Sequence, residues 1–180
     1  KDRQNISIFE IGPVFTGIHP GEQKDCLTIV RSGRAIDKNW TANNRNYDVF
    51  DIKSDLVSLL RLLKIPLDKI KIKNENNIFF HPVKSCSVYF SELKIASFGE
   101  IHPNVSKSFK IKNTVVILEV YFSEILENIK KRIKTKNKFF ESNFQQSVRD
   151  FSFEVDKKLK SIDLVNYIKN VDKDIIADVK

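Results

Sequence analysis

The chain has 180 residues and a formal net charge of +8 at pH 7, with 41% hydrophobic and 30% charged residues. This composition excludes a disordered chain and supplies enough apolar residues for the core of one or two domains. The positive charge fits a polyanionic partner such as nucleic acid. The abundance of Lys, Asn, Ile and Phe, which an AT-rich genome also encodes, explains the same charge without a partner.

The chain contains no Met, so we expect that residue 1 is not a native start and that the sequence is a piece of a longer protein. Cys26 and Cys86 lie far apart without a CxxC pattern, which predicts free buried thiols in a reducing cytoplasm. No apolar run approaches the ~20 residues needed to cross a bilayer. No signal-peptide pattern is present, so we predict a cytoplasmic protein without a membrane partner.

Strands are predicted where apolar and polar residues alternate or where β-branched residues cluster. Ile6 to Phe15 alternates in this way and contains Gly12-Pro13, which predicts a strand that ends in a turn or bulge. Thr114 to Tyr121 is β-branched and almost continuously apolar, as is typical of a buried central strand. The other predicted strands are Cys26–Arg31 and a hairpin of Ser85–Phe90 with Lys94–Phe98.

The clearest helix is predicted over Asp51–Lys64, where five apolar residues form one stripe and Pro66 ends the pattern. Pro103 is predicted to open a short helix that runs toward Phe109. Ser123 is predicted to cap a further helix. The inner face of that helix is expected to contain Ile125, Leu126, Ile129 and Ile133.

A shift in composition marks a domain boundary, because Lys130–Lys138 carries only basic charges. We read this run as the exposed end of a helix followed by a linker. It divides the chain into a domain at 1–138, a linker at 139–141 and a domain at 142–180. The second domain is predicted to contain a strand at Val148–Val155, a helix at Ser161–Val171 and the start of a strand near Ile175. This β-α-β order is typical of the first half of a ferredoxin-like fold.

Evidence for an active site is sparse in this sequence. His19, His81 and His102 are each followed by Pro and lack metal-ligand spacing, which favours structural His-Pro corners. No G-x-S-x-G, Walker A, G-x-G-x-x-G or H-E-x-x-H pattern occurs. Glu100 and His102 are interpreted either as an acid–base pair or as polar residues at the start of a helix. Glu10 is interpreted as a rim residue or a buried hydrogen-bonding group rather than as a catalytic one.

The basic run and its neighbouring aromatic residues, Phe139, Phe140 and Phe144, are the best functional candidate from residue chemistry alone. Lys and Arg neutralise phosphates, and exposed rings stack on unpaired bases. A solvated linker whose phenylalanines enter the neighbouring core explains the same pattern. We predict that five basic residues contact RNA, namely Arg149, Lys157, Lys158, Lys136 and Lys138.

The predicted strand at Val148–Val155 has two different faces. Alternation places Arg149, Phe151 and Phe153 on one face, which we expect to pack on the helix that begins at Ser161. The opposite face is polar and partly acidic. Such a face is suited to hydrogen bonds with base edges and does not attract phosphate.

Five segments resemble, in order, the bacterial phenylalanyl-tRNA synthetase beta-subunit family. They are FEIGPVF at 9–15, YDVFDIKSDLVSLL at 47–60, HPVKSC at 81–86, GEIHP at 99–103 and SNFQQSVRDFSFEVD at 142–156. The last resembles the opening of the family's anticodon-binding module. One such match alone is a weak indication, but five in the same order cover nearly the whole chain.

The departures from the family pattern concern three positions. Gln145 stands where the family has Pro, Val148 where it has the first Arg of Arg-Arg-Asp, and Val83 where it has Gly. Arg149 and Asp150 match the pattern. They are therefore candidates either for contact with the anticodon stem or for an internal ion pair.

The resemblance implies an α+β protein of two parts. The first is the later part of a class II aminoacyl-tRNA synthetase catalytic-like domain, an antiparallel sheet with flanking helices. The second is the truncated start of a ferredoxin-like anticodon-binding domain. The class II motif 3 requires a Gly-rich segment with an Arg, and Thr114–Leu126 has neither.

The resemblance also implies a function without catalytic residues in this part of the chain. The implied role is to hold the alpha subunit in an α2β2 tetramer and to bind phenylalanine tRNA. The whole enzyme attaches phenylalanine to that tRNA with ATP and Mg²⁺, and no cofactor or metal is expected on this segment. The alternative is a non-catalytic RNA-binding or assembly module unrelated to ligation.

Overall fold

A computed structural model describes residues 5–36, 40, 44–75, 77–130, 144–172 and 174–179. The chain divides into two compact units, Lys1–Thr135 and Lys136–Lys180. Within the described residues, no helix combines the length and the apolarity that a membrane crossing requires.

The first unit contains a six-stranded sheet in which every neighbouring pair of strands is antiparallel. The strand order is β1-β2-β6-β5-β4-β3, which makes β6 an interior strand as its apolar sequence predicts. The strands are β1 Ile6–Phe15, β2 Gln23–Ser32, β3 Ile70–Lys73, β4 Phe80–Phe90, β5 Leu93–Ile101 and β6 Val115–Tyr121. The helices of this unit are α1 Val49–Leu62, α2 Pro103–Ser108 and α3 Phe122–Lys130.

One face of the sheet, here called the helix face, forms the core. α1 packs on β5 and β6, and α3 packs on β2 and β5. Ile52, Leu56 and Leu60 of α1 are buried against this face, as their spacing predicts. Alternate residues of β6 complete the core beneath them, namely Val116, Leu118 and Val120.

The opposite face, here called the open face, carries a row of polar residues across all six strands. Residues directly opposite one another in the register point to the same side of a sheet. Serines dominate the middle of this row, and both Ser87 and Ser97 are buried. In strand order from β1 to β3, the row is Glu10, Thr28, Glu119, Ser97, Ser87 and Lys73.

β1 differs from its prediction at Gly12-Pro13. Instead of ending there, the strand stays paired with β2 through Pro13 opposite Asp25 and on to Phe15 opposite Gln23. Proline is tolerated because β1 is the edge of the described sheet, where one side of the backbone has no ladder partner. Glu10 is exposed on this strand, which confirms its interpretation as a rim residue.

α1 begins two residues earlier than its apolar stripe predicts, because Asp48 caps it. The Asp48 side chain accepts hydrogen bonds from the backbone N–H groups of Phe50 and Asp51. The Asp51 side chain accepts in return from the Asp48 N–H, which completes a capping box. A hydrogen bond from Arg45 is the main cause that lowers the pKa of Asp51. Asp51 therefore remains negatively charged in the first turn, where the positive end of the helix dipole favours a carboxylate.

Replacing Asp48 by Ala is expected to destabilise the chain by about 1 kcal/mol, because two N–H groups at the start of α1 lose their acceptor. Thermal unfolding monitored by circular dichroism measures this change as a shift of about 2–4 °C. The Asp48→Ser chain keeps an N-cap oxygen and should retain most of the stability. Equal loss in both variants would contradict the capping role.

The hairpin of β4 and β5 turns through two residues, Ser91 and Glu92, rather than the predicted three. Their φ values are 50° and 67°, and the tightest hairpin turns require positive φ at both central positions. Gly99 of β5 lies opposite Ser85. A Cβ atom at Gly99 would come within 2.6 Å of the Lys84 carbonyl oxygen, so the two strands approach closely only because Gly99 lacks a side chain.

The prediction that Ser123 caps α3 is wrong. The helix begins at Phe122, and the Ser123 hydroxyl instead accepts a hydrogen bond from the Asp25 N–H at 3.0 Å, tying α3 to β2. Of the predicted inner face, Ile125 is buried, whereas Leu126 is exposed. The side chain of Ile129 and all of Ile133 lie outside the described part.

In the described part of the second unit the only helix is α4, Ser161–Val171, with the predicted bounds. Leu164, Val165 and Ile168 form its half-buried stripe. The predicted strand at Val148–Val155 is absent, because the segment has no ladder partner among the described residues. The strand predicted near Ile175 is absent as well, and a turn occupies that position.

Candidate partner-binding and nucleic-acid interfaces

β1 exposes large apolar side chains on both faces of the sheet. Phe9 and Ile11 lie on the helix face, opposite Ile29 and Leu27, and Phe9 is 72% exposed. Ile8 and Val14 are exposed on the open face. In an edge strand that only has to complete a sheet, one face is normally polar. Exposure of apolar side chains on both faces is typical of a strand that a partner covers.

A groove of about 440 Å³ runs between β1 and α1 on the helix face. Its walls are predominantly apolar, with Phe9 on one side and Leu59 and Leu62 of α1 on the other. Leu62 is exposed although it belongs to a helix that otherwise packs on the sheet. The apolar side chains of α1 therefore extend past the buried core and line the groove next to β1.

An ion pair borders this groove. The Arg31 guanidinium donates to both carboxylate oxygens of Asp55, at 2.7 and 2.9 Å, and lies over the Tyr47 ring at 5.1 Å. Partial burial opposes protonation of Arg31, but the hydrogen bond and the charge of Asp55 raise its pKa further above neutrality. This bidentate pair joins β2 to α1 and fixes the width of the groove at that point.

His81 and His102 act as structural corners, as their His-Pro sequences predict. His102 Nδ1 accepts the Asn104 N–H at 3.1 Å and so caps α2. His81 Nδ1 accepts the Val83 N–H at 3.2 Å. Both imidazoles therefore stabilise the turn of the backbone that follows them. In the described part of the chain, no group of three His, Cys, Asp or Glu residues is placed to hold a metal ion.

Glu100 does not form an acid–base pair with His102. Its carboxylate accepts two hydrogen bonds from Lys84 Nζ, at 2.8 and 2.9 Å, across the β4–β5 pair. The sequence analysis missed Lys84, because the bulged register between β4 and β5 decides which residue faces Glu100. The pair is a surface contact between strands and supplies no proton-transfer chemistry.

The two cysteines are free, with Cys26 buried and Cys86 half-buried. Burial is the main cause that raises the pKa of both thiols. Thiols with raised pKa values are poor nucleophiles at neutral pH, because the thiolate is the reactive form. The prediction of free thiols is confirmed for both residues, and the prediction of burial is confirmed for Cys26.

The predicted RNA contacts lie in the second unit. Arg149 is exposed and donates to the Val148 carbonyl oxygen at 3.0 Å, and among the described residues it forms no ion pair with Asp150. Lys157 and Lys158 are exposed in the turn before α4, where the Lys158 N–H donates to the Asp156 carboxylate. Lys136 and Lys138 lie outside the described residues, as do Phe139 and Phe140.

The aromatic residues of this unit face solvent. Phe151 and Phe153 stack on each other with ring centroids 6.2 Å apart, and both are exposed. The prediction that this face packs closely on α4 is therefore wrong for Phe151, since α4 leaves its ring uncovered. Phe144 is exposed as well. Stacked, exposed rings beside cationic side chains are the arrangement that unpaired bases recognise.

Two features of the first unit were not predicted from the sequence. Glu119 lies on the open face as a half-buried carboxylate, hydrogen-bonded by the Tyr121 hydroxyl at 3.4 Å. At the end of α2 and beyond it, the segment KSFKIK at 107–112 is wholly exposed. Its basic-aromatic alternation was visible in the sequence, whereas the position of Glu119 depended on the register of β6.

The fold of the first unit defines a class of proteins. Two solved structures of pyrrolysyl-tRNA synthetase from Desulfitobacterium hafniense are similar to this chain, each with a TM-score of 0.50. They are 17% and 16% identical in sequence, and the first similarity covers 73% of this chain and 43% of that one. An antiparallel six-stranded sheet with helices, similar to that of aminoacyl-tRNA synthetases, is therefore the fold shown here.

Sequence comparison identifies the particular family. Residues 1–122 match the family model described as "Phenylalanyl tRNA synthetase beta chain CLM domain". The phenylalanine--tRNA ligase beta subunits of Ehrlichia canis and Rickettsia prowazekii are 35% and 30% identical, over 97% and 99% of this chain. The chain belongs to the phenylalanyl-tRNA synthetase beta chain family. It spans 22% of the length of both relatives.

Proposed function

We propose that this chain is a non-catalytic segment of the beta subunit of phenylalanine--tRNA ligase. The first unit is a class II catalytic-like domain that acts as a scaffold for the alpha subunit in an α2β2 tetramer. The whole enzyme attaches phenylalanine to its tRNA in the cytoplasm with ATP and Mg²⁺, and that chemistry takes place outside this segment. Family membership and the synthetase-like sheet support this proposal. They do not favour an RNA-binding module unrelated to ligation.

The observation that carries the scaffold role is the uncovered apolar surface of β1. The surface consists of Phe9 and Ile11 with the groove toward Leu62 on one face, and of Ile8 and Val14 on the other. Contiguous apolar surface of this kind marks an interface, because its exposure to water is unfavourable. A partner subunit that covers β1 would bury this surface and pair with the free edge of the sheet.

Co-expression with the cognate alpha subunit tests the scaffold role. The expected result is a stable complex in size-exclusion chromatography that resists high salt, since an apolar interface is not screened by ions. Separate elution of the two chains would contradict the proposal. In that case, other parts of the beta subunit would have to cover β1.

We further propose that residues 142–180 belong to a ferredoxin-like anticodon-binding domain. The exposed Arg149, Lys157 and Lys158 support this role, together with the exposed rings of Phe151 and Phe153. The extended segment that contains Arg149 has strand-like alternation but no partner among the described residues. A neighbouring strand from the same domain would supply the missing ladder hydrogen bonds.

Charge reversal at the turn before α4 is expected to weaken tRNA binding. In the Lys157→Glu/Lys158→Glu chain, two phosphate contacts are lost. The slope of log affinity against log salt should therefore become shallower by about 1.8 with a duplex stem or about 1.4 with a single strand. Filter binding with phenylalanine tRNA at several salt concentrations measures this slope.

The Lys53→Glu chain carries a reversed charge on an exposed position of α1 and serves as the control. Its salt slope should equal that of the unmodified chain. A slope that is unchanged in the double variant, or that changes equally in the control, would show that these lysines do not contact phosphate.

A further inference from the structure

A pocket of about 300 Å³ lies on the open face, at the end of the sheet near α2. Its walls are apolar and partly aromatic. Its position on the open face follows from the register, in which Glu119 lies opposite Ser97 and Ile117 lies opposite Gly99. The lining residues are Phe79, Phe80, Ile101, Val105, Ile117 and Glu119.

Glu119 gives this apolar pocket one strong hydrogen-bond acceptor. Its carboxylate is half-buried and, among the described residues, has no ion pair; its recorded partner is the Tyr121 hydroxyl at 3.4 Å. Its register neighbours are Thr28 and Ser97, which carry no charge. A partly exposed carboxylate in such surroundings can accept further hydrogen bonds from a ligand that donates N–H groups.

Phe79 forms an aromatic wall at the mouth of the pocket and is 67% exposed. Its backbone is tied to the chain just after β5, because its carbonyl oxygen accepts the His102 N–H at 2.8 Å. An exposed aromatic ring is a stacking surface for a planar ligand. The combination of a ring with a carboxylate therefore selects a flat group that carries N–H donors.

Lysine residues follow the pocket-lining Val105 in the chain. Lys107 lies two residues after Val105 in α2, on another side of that helix. Lys110 and Lys112 lie in the exposed segment beyond, which Phe109 precedes. No carboxylate partner is recorded for these three lysines in the described part of the chain, whereas nearby Glu100 is already paired with Lys84. The surroundings of the pocket are therefore available to an anion.

We propose that this pocket binds an unpaired nucleotide of RNA, with an amino-bearing base between Phe79 and Glu119 and phosphates on the lysines of 107–112. A single-stranded nucleotide unites a planar ring, N–H donors and a neighbouring negative charge. A carboxylate accepts a hydrogen bond from the exocyclic amino group of cytosine. In uracil a carbonyl oxygen stands at that position and cannot donate one. The site adds an RNA contact on the first unit and does not depend on residues 142–180.

Fluorescence anisotropy with labelled hexacytidylate (C6) and hexauridylate (U6) tests the proposal on the full 180-residue chain. C6 should bind several-fold more tightly than U6. The Glu119→Gln chain, which keeps the shape of the side chain but loses its charge, should lose most of this preference. Phe79→Ala should weaken C6 binding at least about five-fold, since stacking contributes ~1–3 kcal/mol per base.

The Lys107→Glu/Lys110→Glu chain should show a salt slope about 1.4 units shallower, at ~0.7 per phosphate contact with a single strand. The Lys53→Glu chain controls for charge reversal at an exposed position away from the pocket. Equal affinity for C6 and U6, or a preference that survives Glu119→Gln, would overturn the proposal. Binding of 2-phenylethylamine, a phenyl-substituted alkylamine without phosphate, would also overturn the proposal if C6 did not bind. Unfolding midpoints of all variants should match the unmodified chain, because the replaced side chains lie outside the core.

Discussion

Removal of the Phe9 and Leu62 side chains should release the alpha subunit while the chain stays folded. Phe9 and Leu62 face each other across the groove between β1 and α1, and both are largely exposed in the chain alone. Truncation of a central aromatic contact in an interface typically costs about 2 kcal/mol or more, which is a loss of about 30-fold in affinity. The Phe9→Ala/Leu62→Ala chain should therefore fail to retain the alpha subunit at concentrations where the unmodified chain retains it.

A matched control comes from Phe109, which is 72% exposed, as Phe9 is, but lies beyond α2. The Phe109→Ala chain should retain the alpha subunit with unchanged affinity. Surface replacements of this kind change the free energy of unfolding by ±0.5 kcal/mol or less, so neither variant should shift the unfolding midpoint appreciably. If the Phe9→Ala/Leu62→Ala chain retains the alpha subunit normally, β1 is not its docking surface.

Adding a single methyl group at Gly99 should destabilise the sheet. The new Cβ would lie 2.6 Å from both the Lys84 carbonyl oxygen and the Ser85 Cβ, and 2.7 Å from the Ser85 Cα. These neighbours are mostly backbone of the paired strand, so relief requires separation of β4 from β5. Overpacking of this kind costs about 1–3 kcal/mol, or roughly 2–12 °C in the unfolding midpoint of a chain of this size.

Gly12 offers the same substitution without the clash. A Cβ at Gly12 meets no atom within 4 Å, although Gly12 also lies in a paired strand of the same sheet. The Gly12→Ala chain should therefore be as stable as the unmodified chain or up to about 1 kcal/mol more stable. Differential scanning calorimetry of the two variants gives the comparison. Equal midpoints would contradict the close approach at Gly99.

The elements that the sequence predicted well are those whose signal is local. The apolar spacing in α1 and the β-branched run of β6 each report burial within one element, and both were confirmed. The His-Pro corners were confirmed for the same reason, because an imidazole that accepts a backbone N–H two residues away needs no distant partner.

The features that sequence reasoning missed depend on pairing between distant segments. Ser123 has a hydroxyl that could cap a helix, but β2 places the Asp25 N–H beside it. The hydroxyl therefore accepts a hydrogen bond from Asp25 instead. Glu119 faces its pocket because of the register that links β6 to β5. The strand predicted at Val148–Val155 has the right alternation, yet a strand exists only where another supplies its hydrogen bonds.

The resemblance noted from five short segments anticipated the family, and the structure explains part of one segment. In GEIHP, Gly99 permits the close strand pairing, Glu100 pairs with Lys84, and His102 caps α2. These roles are structural, so the same segment does not by itself indicate chemistry. The RNA contacts assigned to Arg149, Lys157 and Lys158 remain predictions.

The doubly apolar strand β1 has a consequence for the life of the protein in the cell. Under the proposed scaffold role, copies made in excess of the alpha subunit would expose β1, at the edge of the described sheet, to one another and to the machinery that removes unassembled chains. We therefore expect the steady level of this polypeptide to follow the supply of the alpha subunit rather than its own rate of synthesis. The ten residues of β1 would then require that the cell produce this polypeptide and the alpha subunit in matched amounts.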